Sequence, residues 1–229
     1  MTRTRVEAVV FDLDGTLVDS GTAVIGAVAT GIREVAERHG HGRIDVDPSV
    51  LRAALGRPAR EYFRTVLPRK LVDLADEVKE VATRHEVDAL REGHGRTFDA
   101  VLPTLDALRS SGRRLACVSN AQAPYFRAAL DHLGLGSRFA FTECQEELPA
   151  GADPPFKVAM LRRALAALDV APARAVMVGD REEDLVSGRT VGCRTIGAVY
   201  GFGEPDEFVD ADATVERFAA LVDVIDAFE

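Results

Sequence analysis

The sequence predicts an α/β protein in which a parallel β-sheet is covered by helices and interrupted by an all-helical insert. Two observations support this prediction. Short β-branched apolar runs alternate with amphipathic stretches in two blocks of the chain, and this alternation is typical of a parallel sheet in a three-layer α/β/α arrangement. Between the blocks, apolar residues recur only at helical spacing, which indicates a segment without strands.

Five apolar runs are the predicted strands, and three amphipathic stretches are the clearest predicted helices. The first helix carries apolar residues at helical spacing from Ile25 to Ala36 and fades at the glycine-rich segment 39–42. Apolar positions at the same spacing predict a helix from Val158 to Leu168 and a last helix from Phe218 to Phe228. The predicted strands are residues 6–11, 115–119, 139–144, 175–178 and 194–198.

The helical insert directly follows the first strand, and this position divides the chain. We expect a Rossmann-like core of residues 1–17 and 97–229 and an insert of residues 18–96, which we call the cap. An insert at this point lies above the carboxyl ends of the strands, where open α/β sheets bind ligands. We therefore expect a lid over a site, with a purely stabilising decoration as the alternative.

Composition and charge exclude several classes of protein. The 229 residues include 28 Lys and Arg against 37 Asp and Glu, with a net charge of −9, which disfavours a nucleic-acid partner. The first apolar run contains Glu7 and is too short for a secretory leader or a membrane span. Three widely spaced cysteines fit reduced thiols better than disulfides or zinc ligands. We expect a cytoplasmic protein, either a monomer or a homodimer.

Carboxylates follow two of the predicted strands. Asp12 and Asp14 end the first strand, and Asp180 and Asp184 follow the strand at 175–178. Because parallel strands present their carboxyl ends at the same edge, these groups can converge, and several carboxylates without His or Cys suit Mg²⁺. The alternatives are a solvated Asp-Gly turn at the first group and helix N-terminal charges at the second, the reading we adopt for Glu182 and Glu183.

Two further polar positions suit a phosphate group. Ser119 and Asn120 close a strand before a helix, where a hydroxyl and backbone N–H groups can hold a phosphate oxygen or simply cap the helix. Lys157 begins a helix, which is unfavourable for a cation. This cost favours a carboxylate or phosphate partner for Lys157, although a solvated lysine is the alternative.

Four segments follow one another along the chain: FDLDGTLVDS, VSN, a lone Lys and VMVGDREED. Their order resembles that of the haloacid dehalogenase superfamily of phosphohydrolases. The helical insert after the first segment is similar to the small cap of phosphoglycolate phosphatases. One difference is that Pro154 and Pro155 precede Lys157, whereas capped families commonly have Pro directly after this Lys.

The resemblance implies a role for each candidate residue. Asp12 would be the nucleophile, Asp14 the general acid and base, and Lys157 a catalytic cation. Mg²⁺ would be held by the carboxylates of Asp12 and Asp180, by the backbone carbonyl of Asp14, and by Asp184 directly or through water. Phosphoryl oxygens would be bound by Thr16, Ser119, Asn120 and Lys157. Arg57, in the cap, would reach a second anionic group of the substrate or remain solvated.

The resemblance implies a Mg²⁺-dependent phosphatase that acts through an aspartyl-phosphate on a small phosphorylated metabolite, either phosphoglycolate-like or a sugar phosphate. A sugar phosphomutase is the first alternative, but residues 21–24 offer no His where mutase relatives tend to carry one in the cap hinge. A non-enzymatic receiver-like switch is the second alternative. Asp14 argues against a switch, because an acid/base group beside Asp12 would shorten the lifetime of the phosphorylated state.

Overall fold

The computed structural model describes residues 5–57 and 59–229, and its centre is a six-stranded sheet. The strand order is β3-β2-β1-β4-β5-β6, and every neighbouring pair is parallel. This order is that of a Rossmann-like doubly wound sheet. The strands are β1 (Ala8–Phe11), β2 (Arg114–Ser119), β3 (Phe141–Cys144), β4 (Ala175–Gly179), β5 (Arg194–Ala198) and β6 (Ala213–Val215).

The chain between β1 and β2 begins with the helices of the cap, which have an apolar core of their own. All buried apolar residues of this core lie between Ile25 and Ala82. A 3₁₀ turn at Arg69–Leu74 precedes the last of these helices. The cap helices are α1 (Gly21–Arg38), α2 (Pro48–Ala53), α3 (Ala59–Val66) and α4 (Ala75–Arg91).

Helices cover both faces of the sheet, since successive residues of β1 point to opposite sides. Val9 and Phe11 pack with α5, α6 and α9, whereas Ala8 and Val10 pack on the side of α7. Helix α8 packs against α7 and β4. These core helices are α5 (Val101–Ser110), α6 (Ala123–His132), α7 (Phe156–Leu168), α8 (Glu182–Val191) and α9 (Leu221–Asp226).

The expected α/β fold with an inserted helical cap is confirmed, with two local differences. The sequence pattern does not predict β6, and the last predicted helix begins as a 3₁₀ turn at Phe218–Ala220 before α9. The domain limits at residues 17/18 and 96/97 stay a prediction, to which the separate cap core lends support. Among the described residues, no helix combines the length and apolarity needed to cross a membrane.

The topology brings the ends of three strands together. Strand β1 lies between β2 and β4, and Phe11 is in register with both Cys117 and Val178. The residues that follow these positions therefore meet at one edge of the sheet, as expected for parallel strands.

Candidate active site

Asp12 directly follows β1 and is held beside Lys157. Its backbone N–H donates to the Val178 carbonyl at 3.0 Å, and its Oδ1 accepts from Lys157 Nζ at 2.5 Å. Lys157 Nζ also lies 2.9 Å from Asp184 Oδ1. Burial alone would lower the pKa of Lys157, but the carboxylates of Asp12 and Asp184 outweigh it and hold this pKa above its usual value. The cation at the start of α7 is thus stabilised by its carboxylate partners.

Asp12, Asp180 and Asp184 form a buried acidic triad. One carboxylate oxygen of each lies within 4.8 Å of the others. Asp180 accepts from Thr16 Oγ1 at 3.0 Å and from the Phe202 N–H at 2.8 Å, while Asp184 accepts from the Arg181 N–H at 3.2 Å. Burial and the neighbouring Asp184 raise the pKa of Asp180 to about 7. The triad therefore carries more negative charge than its surroundings neutralise.

The acidic triad fits Mg²⁺ in its charge and in its donor atoms. Three carboxylates face one ammonium, and burial, reinforced by Asp184 and Asp180 and opposed by Lys157, raises the pKa of Asp12. Apart from the Lys157 ammonium at 2.9 Å, Asp184 Oδ1 has no hydrogen-bond donor among the described residues. A hard divalent cation bound by carboxylate oxygens would relieve this repulsion.

Gly15 allows the chain to pass close to the acidic triad. Its φ is +80°, and a Cβ at this position would lie 2.0 Å from Asp180 Oδ2. Only a glycine satisfies both the left-handed backbone and this close approach. The glycine of the DLDG segment is therefore needed for the position of Asp180.

Asp14 is not a member of the acidic triad and is held by a residue of α6. Its Oδ1 accepts a 2.6 Å hydrogen bond from Tyr125 Oη. Burial raises the pKa of Asp14, and the Tyr125 hydroxyl partly offsets this rise. Asp14 lines the same cavity as Asp12, and a carboxyl group with a raised pKa is suited to proton transfer.

Ser119 and Asn120 line this cavity at the end of β2. Ser119 Oγ accepts from the Ala121 N–H at 3.1 Å, which leaves its proton for an oxygen in the cavity. Asn120 Nδ2 donates to Glu183 Oε2 at 2.9 Å. Glu183, predicted to be only a helix N-terminal charge, therefore has a specific partner, and its pKa is raised chiefly by burial.

Thr16 and Arg57 have other partners in this arrangement. The Thr16 hydroxyl donates to Asp180, so it orients a carboxylate of the acidic triad. Arg57 Nη1 lies 2.9 Å from Glu61 Oε1, and its side chain is 42% exposed. Their predicted contacts with phosphoryl oxygens and with a second anionic group stay predictions.

Three further cavity residues were missed by the sequence reading: Tyr62, Glu86 and Tyr125. The burial of Glu86 could have been predicted from the sequence, because Glu86 follows Val78 and Ala82 at four-residue intervals on the buried face of α4. A glutamate on an apolar helical face requires a partner. The two tyrosines gave no comparable signal.

Comparison with known proteins assigns the chain to a family. A model of the haloacid dehalogenase-like hydrolases matches residues 6–192. The chain belongs to this family. The match includes Asp12, Asp14, Ser119, Lys157 and both carboxylates after β4, so the expected resemblance is confirmed and the haloacid dehalogenase-like chain is an enzyme of the hydrolase class.

Similar proteins extend over nearly the whole chain. The tyrosine-protein kinase PtkA of Mycobacterium tuberculosis is 29% identical over 223 residues, which cover 95% of this chain and 70% of that protein. A phosphoglycolate phosphatase of Vibrio vulnificus is 27% identical over 233 residues, 98% of each protein. The crystal structure of a predicted phosphoglycolate phosphatase from Haemophilus somnus has a TM-score of 0.82 at 21% identity, with 96% and 98% of the two chains covered. This last similarity shows a common fold.

Proposed function

We propose that this haloacid dehalogenase-like chain is a Mg²⁺-dependent phosphatase that hydrolyses a small phosphorylated metabolite through an aspartyl-phosphate on Asp12. The observation that carries the proposal is that Asp12 contacts Lys157, belongs to the acidic triad and opens into the same cavity as Asp14. The related phosphoglycolate phosphatase of Vibrio vulnificus supports the reaction class.

In the first step, a carboxylate oxygen of Asp12 attacks phosphorus, and the bond from phosphorus to the ester oxygen breaks. Asp14 gives its proton to the departing oxygen, so the leaving group departs as an alcohol. Lys157 and the Ser119 hydroxyl stabilise the charge on the phosphoryl oxygens. Mg²⁺ held by the acidic triad would supply further positive charge at these oxygens.

In the second step, Asp14 acts as a base because it has lost its proton. It takes a proton from water, and the water oxygen attacks the phosphorus of the aspartyl-phosphate. The bond from phosphorus to Asp12 breaks, inorganic phosphate is released, and both carboxyl groups return to their starting states. One residue thereby serves as acid and then as base.

Phosphate release from a panel of phosphorylated metabolites, with and without Mg²⁺, tests the proposal. We expect Mg²⁺-dependent release by the wild type and a loss of at least about 10³-fold in Asp12→Asn, since the nucleophile is removed. Asp223→Asn, an exposed change on α9, is the matched control and keeps the activity. Release that persists in Asp12→Asn would eliminate Asp12 as the nucleophile.

Two further measurements with the same metabolites, of isomeric products and of the phosphorylated protein, separate the alternatives. Conversion of one sugar phosphate into its isomer faster than phosphate release would identify a mutase. An aspartyl-phosphate that lasts for hours would identify a switch. We also propose a cytoplasmic location, in keeping with three buried cysteines that form no disulfide in the described chain, and an assembly no larger than a homodimer.

A further inference from the structure

The loop between α2 and α3, residues 54–57, meets the core at the cavity. We call it the cap loop. Leu55, Gly56 and Arg57 line the same cavity as Asp12. A loop in this position forms a wall of the cavity only while it stays on the core, so the contacts that hold it there bear on the reaction.

Two successive carbonyls of the cap loop accept hydrogen bonds from side chains of the core. Arg181 Nη1 donates to the Leu55 carbonyl at 2.6 Å, and Asn120 Nδ2 donates to the Gly56 carbonyl at 3.4 Å. The contact from Arg181 is the shorter of the two, and its charged donor makes it the stronger one. The core therefore holds the cap loop by its backbone, whichever side chains the loop carries.

Arg181 is itself fixed on the core by Glu207. Its Nε donates to Glu207 Oε2 at 3.0 Å, and both side chains are less than one-fifth exposed. Glu207 also accepts from the backbone N–H groups of Glu182 at 2.8 Å and Glu204 at 3.0 Å. Burial alone would raise the pKa of Glu207, but these N–H groups and Arg181 outweigh it and hold the pKa below its usual value. The planar guanidinium thus donates to a fixed carboxylate and to the cap loop at the same time.

Gly56 allows the cap loop to approach Arg181 closely. Its φ is +84°, and a Cβ at this position would lie 2.9 Å from Arg181 Cγ. Gly40, elsewhere in the cap, also has a positive φ, of +71°, but no atom lies within 4 Å of a Cβ built there. Gly56 is therefore required by a contact between cap and core as well as by its own backbone conformation.

We propose that Arg181 is a positioning residue for the reaction, which holds the cap loop on the core and so completes the wall of the cavity around Asp12. The inference rests on the proposed phosphatase function and adds a residue that acts on the loop, since Arg181 lies outside the described lining of the cavity. Arg181 directly follows Asp180, and its own N–H donates to Asp184. The contact with the cap loop therefore starts from the segment that carries two carboxylates of the acidic triad.

Steady-state kinetics of variants at Arg181 test this role. In Arg181→Met the cap loop leaves the core more often, so the competent arrangement is a smaller fraction of the free enzyme and KM rises in proportion. For the best substrate of the metabolite panel, we expect kcat/KM to fall about tenfold through KM, while kcat does not fall. Arg181→Lys keeps the positive charge beside Asp180, but a single ammonium lacks the fork that joins Glu207 to the Leu55 carbonyl. Its KM should therefore rise as well.

Hydrogen–deuterium exchange of the protein without substrate gives a readout that does not depend on turnover. We expect the amides of the cap loop to exchange at least about tenfold faster in Arg181→Met than in the wild type, with the rest of the cap and the sheet unchanged. Gly56→Ala, which keeps Arg181 but displaces the loop, should give the same result. Two matched controls keep wild-type exchange in the cap loop. Gly40→Ala adds a similar backbone strain away from the core, and Arg189→Met removes an arginine that donates to the Asp210 carbonyl within the core.

Wild-type exchange of the cap loop in Arg181→Met overturns the proposal. Faster exchange throughout the chain, with a lowered Tm, overturns it too, because Arg181 would then support the fold as a whole. Faster exchange confined to the cap loop, together with an unchanged KM, overturns the role of Arg181 in the reaction. If the wild type hydrolyses no member of the metabolite panel, the phosphatase function fails, and the exchange data alone decide whether Arg181 holds the loop.

Discussion

Tyr125 donates a 2.6 Å hydrogen bond from Oη to Asp14 Oδ1, and this contact joins α6 to the loop after β1. Burial favours the protonated form of Asp14, whereas the hydroxyl favours the carboxylate. An acid that must later act as a base requires a balance between these two effects. Tyr125 is therefore a positioning residue that adjusts the pKa of Asp14.

Tyr125→Phe removes the hydroxyl that stabilises the Asp14 carboxylate, so the pKa of Asp14 rises further. We expect the acidic limb of the kcat–pH profile to move to higher pH by up to about one unit, which corresponds to a hydrogen bond of about 1 kcal/mol. The alkaline limb of the kcat/KM–pH profile also moves to higher pH, because the free enzyme needs Asp14 in its protonated form for the first step. An unchanged profile, or a shift to lower pH, would show that Tyr125 does not act on Asp14.

Mg²⁺ binding is predicted to stabilise the fold. At a concentration one hundred times its Kd, a ligand that binds only the folded state adds about 2.7 kcal/mol, which raises the Tm by about 5–10 °C for a chain of this size. In Asp180→Asn, we expect most of this rise to be lost because one carboxylate of the acidic triad is removed. Asp223→Asn, the control, should keep the Mg²⁺-dependent rise in Tm. Thermal melts in which Mg²⁺ raises the Tm of both variants equally would contradict the predicted site.

Glu86 makes stability depend on pH. Its pKa is about 8 in the folded chain against 4.5 for the ordinary carboxyl, so the folded state binds more protons between these values and its stability falls as the pH rises. The amide introduced by Glu86→Gln does not titrate. The free energy of unfolding of this variant, relative to the wild type, should therefore increase by up to about 4 kcal/mol from pH 5 to pH 8.

Denaturant unfolding at several pH values measures this difference. Glu80→Gln serves as the control, because Glu80 is exposed on the same helix. The difference in free energy of unfolding between this variant and the wild type should be nearly the same at every pH. If the difference in free energy of unfolding between Glu86→Gln and the wild type does not change with pH, Glu86 is ionised in the folded protein.

Lys79 of the cap contacts Glu146 of the core, with 2.7 Å between Nζ and Oε1 and both side chains about one-third exposed. An exposed pair of this kind contributes at most about 1 kcal/mol and is screened by salt. We expect Lys79→Met to raise kcat by up to about fivefold, because opening of the cap for product release becomes easier.

Salt dependence provides the test of this contact. Wild-type kcat should rise with ionic strength towards the Lys79→Met value, while the variant responds little. Lys70→Met is the control, since Lys70 Nζ donates to the His41 carbonyl within the cap. The same salt response in wild type and Lys79→Met would exclude a role for this pair in opening.

The sequence was sufficient to predict the strands near the site and the convergence of Asp12, Asp180 and Asp184, because parallel strands end at a common edge. Asp14 was expected in the same group of carboxylates, but its side chain pairs with Tyr125 instead. Strand β6 was missed since Ala213–Val215 is too short for a periodic pattern. Tyr62 and Tyr125 were missed because their proximity to Asp14 depends on how cap and core meet, which local spacing does not encode. The hydrogen bond from Thr16 to Asp180 likewise depends on tertiary packing, which the local sequence does not encode.

The position of β1 between β2 and β4 has a consequence for folding. Thr16 and Asp180 are joined by a hydrogen bond although they lie 164 residues apart, and β1 gains its second neighbour only when β4 has been synthesised. Contacts of such long sequence separation form slowly because a large loop must first be closed. The acidic triad is therefore expected to assemble late, so that a partly synthesised chain ending before β4 lacks two of its three carboxylates.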